Sequence, residues 1–431
     1  MSKEKELVQK AEQLYIYSLP LIVSEMVHRD YSDTDITHDR DYPTKETAKF
    51  GRPNRDTLYS AGFVQLADSP YELIIPKVED RYFLFPFFSP YGDVVDSLGT
   101  KSGKFGKFLL VQEEKEIPEG YGDYEILKFK ESLIGYLMRV ETKGEADYSH
   151  VHKIQDQVVL RPVYKDRIRK NDPKPEHIDP VVYAKSLSDK EYFTLFAKLL
   201  ADNPALTEDT YKDFESFGYD RKNESFDYDG LDSKHVEALS QGRKNAEAKL
   251  TTNDLSNFKI SYDGTWVAVL GGMGSYGQDH IGRARVMGSP GGWGANVPSE
   301  CIYFDAQMST DKKPLLADKN YKVHFEKDGL PHAGAFWSLA VYGADTGDVT
   351  AAENRIYSLN SNDLSLGKLK TNPDGSLDIY FGPDAPENEF IDNWIESKYP
   401  NDSRVSLNIR VYIPDEDTQK GLWVTPNIYE I

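Results

Sequence analysis

Cysteine is almost missing: Cys301 is the single thiol in 431 residues. An internal disulfide framework and a cysteine-rich zinc site are both excluded. Cys301 stands among apolar residues, so a buried structural thiol is expected there rather than a nucleophile. Positive charge is also scarce, with 51 Lys and Arg against 71 Asp and Glu and a formal net charge of -20. Phosphates are neutralised by clustered Lys and Arg, and no basic run occurs, so neither nucleic acid nor an anionic membrane surface is an expected partner. No window approaches the ~20 apolar residues that span a bilayer. The opening Met-Ser-Lys-Glu-Lys-Glu mixes charges where an export signal needs a basic and then an apolar segment. The resulting expectation is a cytoplasmic protein. Also absent are H-E-x-x-H, G-x-S-x-G, the phosphate-binding loop, the kinase motifs, any strong internal repeat and any low-complexity tract.

What the chain does have is length and aromatic rings. At 431 residues it exceeds the size at which single cores stop growing, which predicts two or three packed units. Its 28 Tyr and 20 Phe suit large β-cores and pockets. Leu7, Ala11, Leu14, Tyr15 and Ser18 recur at helical spacing, predicting a helix over 5–29 that Pro20 should kink or divide. Residues 31–50 are polar and read as a loop. Short runs rich in Tyr, Phe, Val and Ile at 58–66, 71–75, 81–88, 107–112 and 134–140 predict an antiparallel sandwich or barrel.

Residues 147–260 look mainly helical, with Ser188 and Glu191 spaced as a capping box and Asn203-Pro204 ending that helix. Strand patterning returns at 321–326, 335–342, 376–381 and 405–413. In the last run Val405, Leu407, Ile409, Val411 and Ile413 alternate with Ser406, Asn408, Arg410 and Tyr412, giving one clean core face. The fold class expected is mainly β with helical segments, α+β: two antiparallel sandwich or jelly-roll-like units joined by a helical block.

The densest polar stretch is Gly51-Arg-Pro-Asn-Arg-Asp-Thr-Leu-Tyr-Ser60, immediately ahead of an alternating strand. Arg55 could hold an anionic or carbonyl oxygen through its fork of donors, Asp56 act as acid or base, and Tyr59 donate a proton. Asn54 would assist binding, and Arg81, Tyr82 and Arg139 from neighbouring strands could complete a pocket. The competing reading is a structural corner, with Arg55 and Asp56 a buried pair and Asn54 satisfying the backbone.

The motif 52–60, with Asp80-Arg81-Tyr82 and Tyr148 to Gln157, resembles the family called domain of unknown function 1254. Ala335 to Leu339, Asn354 to Ser358, Asp374 to Tyr380, Asn393-Trp394 and Trp423 resemble its companion, domain of unknown function 1214. The resemblance implies two sandwich-like units in tandem and supplies no reaction. It divides the chain into a helix and loop over 1–45, a first β-unit over 46–165, a helical and glycine-rich connection over 166–300, and a second β-unit over 301–431.

Three other features bear on function. Gly272-Met-Gly274-Ser-Tyr-Gly277 is a literal G-x-G-x-x-G, but a second glycine-rich loop follows where a dinucleotide fold needs a second parallel strand, so no cofactor is expected. Tyr276 is instead expected on a loop lining a cleft between the units. His324, Glu326 and His332 form the best latent metal cluster, yet no metal site is assigned, because such residues on a hairpin commonly face solvent. Trp337, Trp394 and Trp423 are expected in the core, with a cleft wall of aromatics that binds a flat or glycosidic ligand as the alternative. Together these lead to a protein that binds a small organic molecule between its units, with acid–base and anion-holding side chains. The alternatives are a non-catalytic binding or scaffold protein and a metal-dependent enzyme. A homo-oligomer is compatible with so much β-surface.

Overall fold

Strand alternation decides both β-units. In the computed structural model, which describes residues 3–44, 52–170, 178–251, 258–289 and 292–431, the first unit pairs two sheets. One has the order β1 (Thr37–His38), β2 (Thr57–Gln65), β8 (Leu133–Glu141), β4 (Phe83–Phe88), β5 (Val94–Gly99). The other has the order β7 (Glu125–Phe129), β6 (Gly106–Gln112), β3 (Tyr71–Ile75), β9 (Val159–Pro162). Phe83, Phe85 and Phe87 of β4, with Ile134, Tyr136, Met138 and Val140 of β8, share one core with Leu73, Ile75, Phe108 and Leu110 of the facing sheet. Each such side chain contributes about 1.5–3 kcal/mol by leaving water. Gly62 leaves room for this core, since a Cβ there would lie 2.3 Å from the Tyr136 hydroxyl.

The second unit repeats the plan. Its six-stranded sheet has the order β10 (Lys259–Tyr262), β11 (Trp266–Gly271), β12 (Cys301–Ala306), β18 (Val405–Tyr412), β14 (Trp337–Gly343), β15 (Ser358–Asn360). It faces a sheet ordered β17 (Trp394–Glu396), β16 (Leu377–Gly382), β13 (Tyr321–Phe325), β19 (Asn427–Glu430). Val405, Leu407, Ile409 and Val411 of β18 enter the core between them, as their alternation predicts. Among the described residues only β6–β7 and β16–β17 run parallel. The hairpin β10–β11 comes from the helical and glycine-rich connection expected over 166–300 and extends the second unit's sheet.

Against the first unit packs a helical layer centred on α1 (Lys3–His28). Every residue from Leu14 to His28 is buried, and a helix apolar on all sides is one packed on all sides. Pro20 does not divide α1, which runs from Lys3 to His28 as one helix; packing outweighs the ~3 kcal/mol that an interior proline costs. In chain order the remaining helices are α2 (Tyr148–Gln157), α3 (Pro180–Ser186), α4 (Asp189–Asp202), α5 (Glu208–Glu215), α6 (Ser233–Leu250), α7 (His280–Met287), α8 (Ser361–Ser365) and α9 (Glu416–Lys420). Ser188 and Glu191 form the predicted capping box of α4. Among the described residues no helix is long and apolar enough to cross a membrane.

The outward face of the five-stranded sheet is shared between two neighbours. Ala61, Phe63, Phe88, Leu133 and Leu137 pack into the helical layer. Tyr82 and Leu84 instead meet Cys301, Phe336 and Tyr412 of the second unit.

The α1–α6 contact is tight enough to test. A Cβ on Gly242 of α6 would approach Ala11 Cβ to 2.5 Å and the Glu12 nitrogen to 2.6 Å. Gly242→Val is expected to destabilise the fold by about 1–3 kcal/mol, lowering the melting temperature by several degrees. Thermal unfolding followed by circular dichroism checks this; an unchanged midpoint would refute the close packing.

Candidate functional site

Residues 52–56 form a strap across the outward face of the six-stranded sheet before the chain enters β2. Tyr342 Oη donates to the Pro53 carbonyl at 2.6 Å and Tyr357 Oη to the Asn54 carbonyl at 3.0 Å. Arg410 Nη2 donates to the Arg52 carbonyl at 2.8 Å, and Arg52 pairs with Asp305 at 3.0 Å. Asn54 spends its side chain locally: Oδ1 accepts from the N–H groups of Asp56 and Thr57 at 3.1 and 3.0 Å, while Nδ2 donates to Thr57 Oγ1 and Tyr412 Oη. An asparagine closing such a turn starts β2 and leaves no donor for a ligand.

The strap covers a face that alternation alone reads as outward. Ser406, Asn408, Arg410 and Tyr412 of β18 all lie on it, with Ser338, Ala340 and Tyr342 of β14 and Ser358 and Asn360 of β15, and every one is buried. The register sets Ser338 beside both Asn360 and Arg410, and Arg410 beside Tyr303 of β12. Asn360 is the N-cap of α8: its Oδ1 accepts from Asn362 and Asp363, and its Nδ2 donates to Asp56 Oδ1 at 3.0 Å. The second Asp56 oxygen has no hydrogen-bond partner, nor do the hydroxyls of Ser338, Ser358 and Ser406 or Asn408 Oδ1. Asp56 is 1 % exposed. Burial raises its pKa above the ordinary aspartate value, opposed by the nearby Ser338 hydroxyl, Asn360 and the Arg410 charge. Ser338 acts on that carboxyl through proximity, without a hydrogen bond of regular geometry.

Two guanidinium groups approach from opposite sheets. Arg139 of β8, 4 % exposed, donates to Asn296 Oδ1 and the Gly294 carbonyl, both at 2.9 Å, and lies 5.6 Å from the Tyr59 ring centre. Asn296 in turn donates to Tyr303 Oη at 3.2 Å. Arg410, 5 % exposed, donates to Tyr342 Oη at 2.8 Å and lies 5.9 Å from the Tyr303 ring centre. Among the described residues neither arginine makes an ion pair with a carboxylate. The carboxyl whose charge Arg139 influences, Glu300, accepts from Tyr82 Oη at 2.9 Å. Its pKa, like that of Asp56, is raised by burial. Burial also pushes the phenols of Tyr303 and Tyr412 above their ordinary value and Tyr342 up to about 12, so at neutral pH they are dipoles rather than countercharges. An uncompensated buried charge costs several kcal/mol. Tyr59 and Tyr303 are half-buried and form the accessible part of the layer.

The other candidates are dispersed. Arg55 is half-buried against the Tyr42 ring at 4.8 Å and is not one of the groups meeting in the layer. Arg81 is held by Asp147 at 2.6 Å, Asp80 at 3.1 Å and the Glu141 carbonyl at 3.1 Å, fixing the start of α2. Tyr82 joins the layer through Glu300. Tyr276 belongs to a separate cluster, with its N–H on Asp93 at 2.9 Å and the Arg283 guanidinium 5.6 Å from its ring centre. Trp337 points inward, 5.5 Å from the Phe325 ring in the second core, so the cleft-wall alternative does not hold for it.

His324 pairs with Asp378 at 2.6 Å and His332 with Asp415 at 3.3 Å, so the two histidines engage different carboxylates. No group of three or more potential metal ligands occurs among the described residues. The strand before the glycine motif, β11, is antiparallel to both neighbours, unlike a parallel dinucleotide-binding unit. Burial raises the Cys301 thiol to about 12, leaving it inert at neutral pH.

A cleft of about 700 Å3 lies away from this layer, lined by Tyr17, Thr210, Asp213 and His280 among others. Tyr17 Oη accepts the Leu206 N–H there.

Two β-sandwiches, a helical layer and a buried polar seam define an α+β protein of two β-units. Two family models match in tandem, together covering more than half of the chain: "Protein of unknown function (DUF1254)" over residues 34–162 and "Protein of unknown function (DUF1214)" over residues 300–416. The chain belongs to this tandem DUF1254/DUF1214 family. The crystal structure of the VPA0106 protein from Vibrio parahaemolyticus shares its fold, with a TM-score of 0.69 at 17 % identity over 99 % of this chain and 100 % of that one. The crystal structure of a putative uncharacterized protein from Burkholderia cenocepacia matches at 13 % identity with a TM-score of 0.45, over 99 % and 95 % of the two chains. No curated protein matches.

The raised pKa of Asp56 fixes a sign. The folded chain holds this proton more tightly than the unfolded chain, so the associated stability is complete below the unfolded value near ~3.9 and is lost as pH rises through the folded value. Asp56→Asn removes this titration, and the variant should gain on the wild type as pH rises above about 4. Urea unfolding of both proteins across pH 4–8 checks it; parallel curves would show that Asp56 ionises as it does in water.

Proposed function

We propose that this protein binds a small organic molecule in the polar layer between its β-units, and that Asp56 exchanges a proton with it while Tyr59 acts as a further donor. The observation carrying this reading is the buried Asp56 carboxyl, with one oxygen on Asn360 and the other facing the Ser338 hydroxyl, in a layer where the Ser358 and Ser406 hydroxyls and Asn408 Oδ1 have no hydrogen-bond partner. Buried polar atoms are satisfied in nine cases of ten or more, and groups left open in one place are a reason to look for an occupant. A carboxyl with a raised pKa suits acid–base work because it can carry its proton nearer to neutral pH. Asn360 orients it through one oxygen and leaves the other facing Ser338. Tyr82 and Arg139 are framing residues in this scheme; Asn54 keeps its amide for the turn.

Binding without turnover is a second reading, favoured by the 1 % exposure of Asp56. Incubation with a metabolite mixture, followed by mass spectrometry of the protein-bound and free fractions, separates the two. The wild type is expected to retain and convert a compound. Folded Asp56→Asn should still retain it and convert it about 100- to 10,000-fold more slowly. Retention by both proteins without conversion in either means binding alone, and no retention by the wild type removes the site.

A further inference from the structure

We propose that the ligand is a small organic carboxylate, specifically a hydroxy or oxo acid, whose anionic group is held between Arg139 and Arg410. This rests on the polar layer being the binding site and adds the class of molecule it takes. Both guanidinium groups are at least nine-tenths buried, both donate only to neutral acceptors, and they come from the two facing sheets, β8 and β18. They meet around Tyr303: Arg139 donates to Asn296, Asn296 donates to Tyr303 Oη, and Arg410 lies 5.9 Å from the centre of the same ring. A planar fork of donors matches a carboxylate, and a charge taken out of water gains most from a countercharge that enters the same dry site.

The rest of the layer selects the remainder of the molecule. Next to Arg410 in the sheet stands Ser338, whose hydroxyl faces the second oxygen of Asp56 without a hydrogen bond of regular geometry. These groups suit an oxygen on the ligand, a hydroxyl donating to Asp56 or a carbonyl accepting from Ser338. The chain as a whole carries a formal charge of -20 and repels anions at long range. Affinity for a carboxylate therefore has to come from local groups, and these two arginines are placed to supply it.

Glycolate, lactate and malate, each beside its neutral amide, are titrated into the full chain by calorimetry and thermal shift. At least one acid is expected to bind and its amide to bind 10-fold or more weaker. Arg139→Gln and Arg410→Gln should each weaken the acid about 10- to 100-fold, the scale of losing a charged hydrogen bond. Arg221→Gln, at an exposed ion pair with Glu208, should leave binding unchanged. If a glutamine variant fails to fold, the lysine variant takes its place, with an intermediate loss because it keeps the charge without the fork. Equal binding of acid and amide, abolished by a folded Ser338→Leu variant that fills the layer beside Asp56, would overturn the carboxylate while keeping the site. Acid binding that survives both arginine changes would place the anion elsewhere, and no binding of any probe to the wild type would overturn the proposed class.

Discussion

The polar seam depends on five residues outside any helix or strand, Arg52 to Asp56, pinned against the second unit before the chain enters β2 of the first. Two tyrosine hydroxyls and one guanidinium reach three successive carbonyls of the strap. Each such bond is worth about 1 kcal/mol, more where the donor is charged. The strap is a hinge pin with its bonds on one side and its covalent continuation on the other. The same inter-unit register is fixed again where Glu141, at the end of β8, accepts from the Tyr82 N–H at 2.7 Å and from Asn362 of α8 at 2.6 Å.

This rigidity explains how two unpaired arginines persist. Leaving a guanidinium without a countercharge in a dry interior costs several kcal/mol, and hydrogen bonds to neutral oxygens recover only part of it. Arg410 regains some through Tyr342 and the strap itself, Arg139 through Asn296 and Gly294. The remainder is borne by the three apolar cores on either side, in which dozens of side chains are withdrawn from water.

The strands were legible because alternation and burial agree: in β18 every second residue is aliphatic and every aliphatic one is core. The same strand also shows where sequence falls short. Arg410 stands in the register that alternation marks as outward, and outward here means toward the other sheet rather than toward water. Polarity told the two faces apart without telling what covered the polar one. The functional stretch was visible as density in 52–60, yet density did not separate Asn54, which closes a turn, from Asp56, which turns an oxygen toward Ser338. Arg55 and Arg81 drew attention by charge, but one lies on a tyrosine and the other on a helix start. The helical layer was only partly legible. Pro20 predicts a kink or a division, and the division is overridden by partners that lie some 160 to 270 residues further along the chain.

That last separation has a consequence for how the protein is made. The apolar length of α1, from Leu14 to His28, is covered mainly by helices from α3 onward, with α6 as its broadest neighbour. A ribosome adding 5–20 residues per second needs roughly ten to forty seconds to travel from one to the other. During that interval the most apolar helix of the chain waits without its helical cover. Until then its cover is the outward face of the first β-unit, which can close its own core and, once residue 162 is made, offers Ala61, Phe63, Phe88, Leu133 and Leu137 to α1.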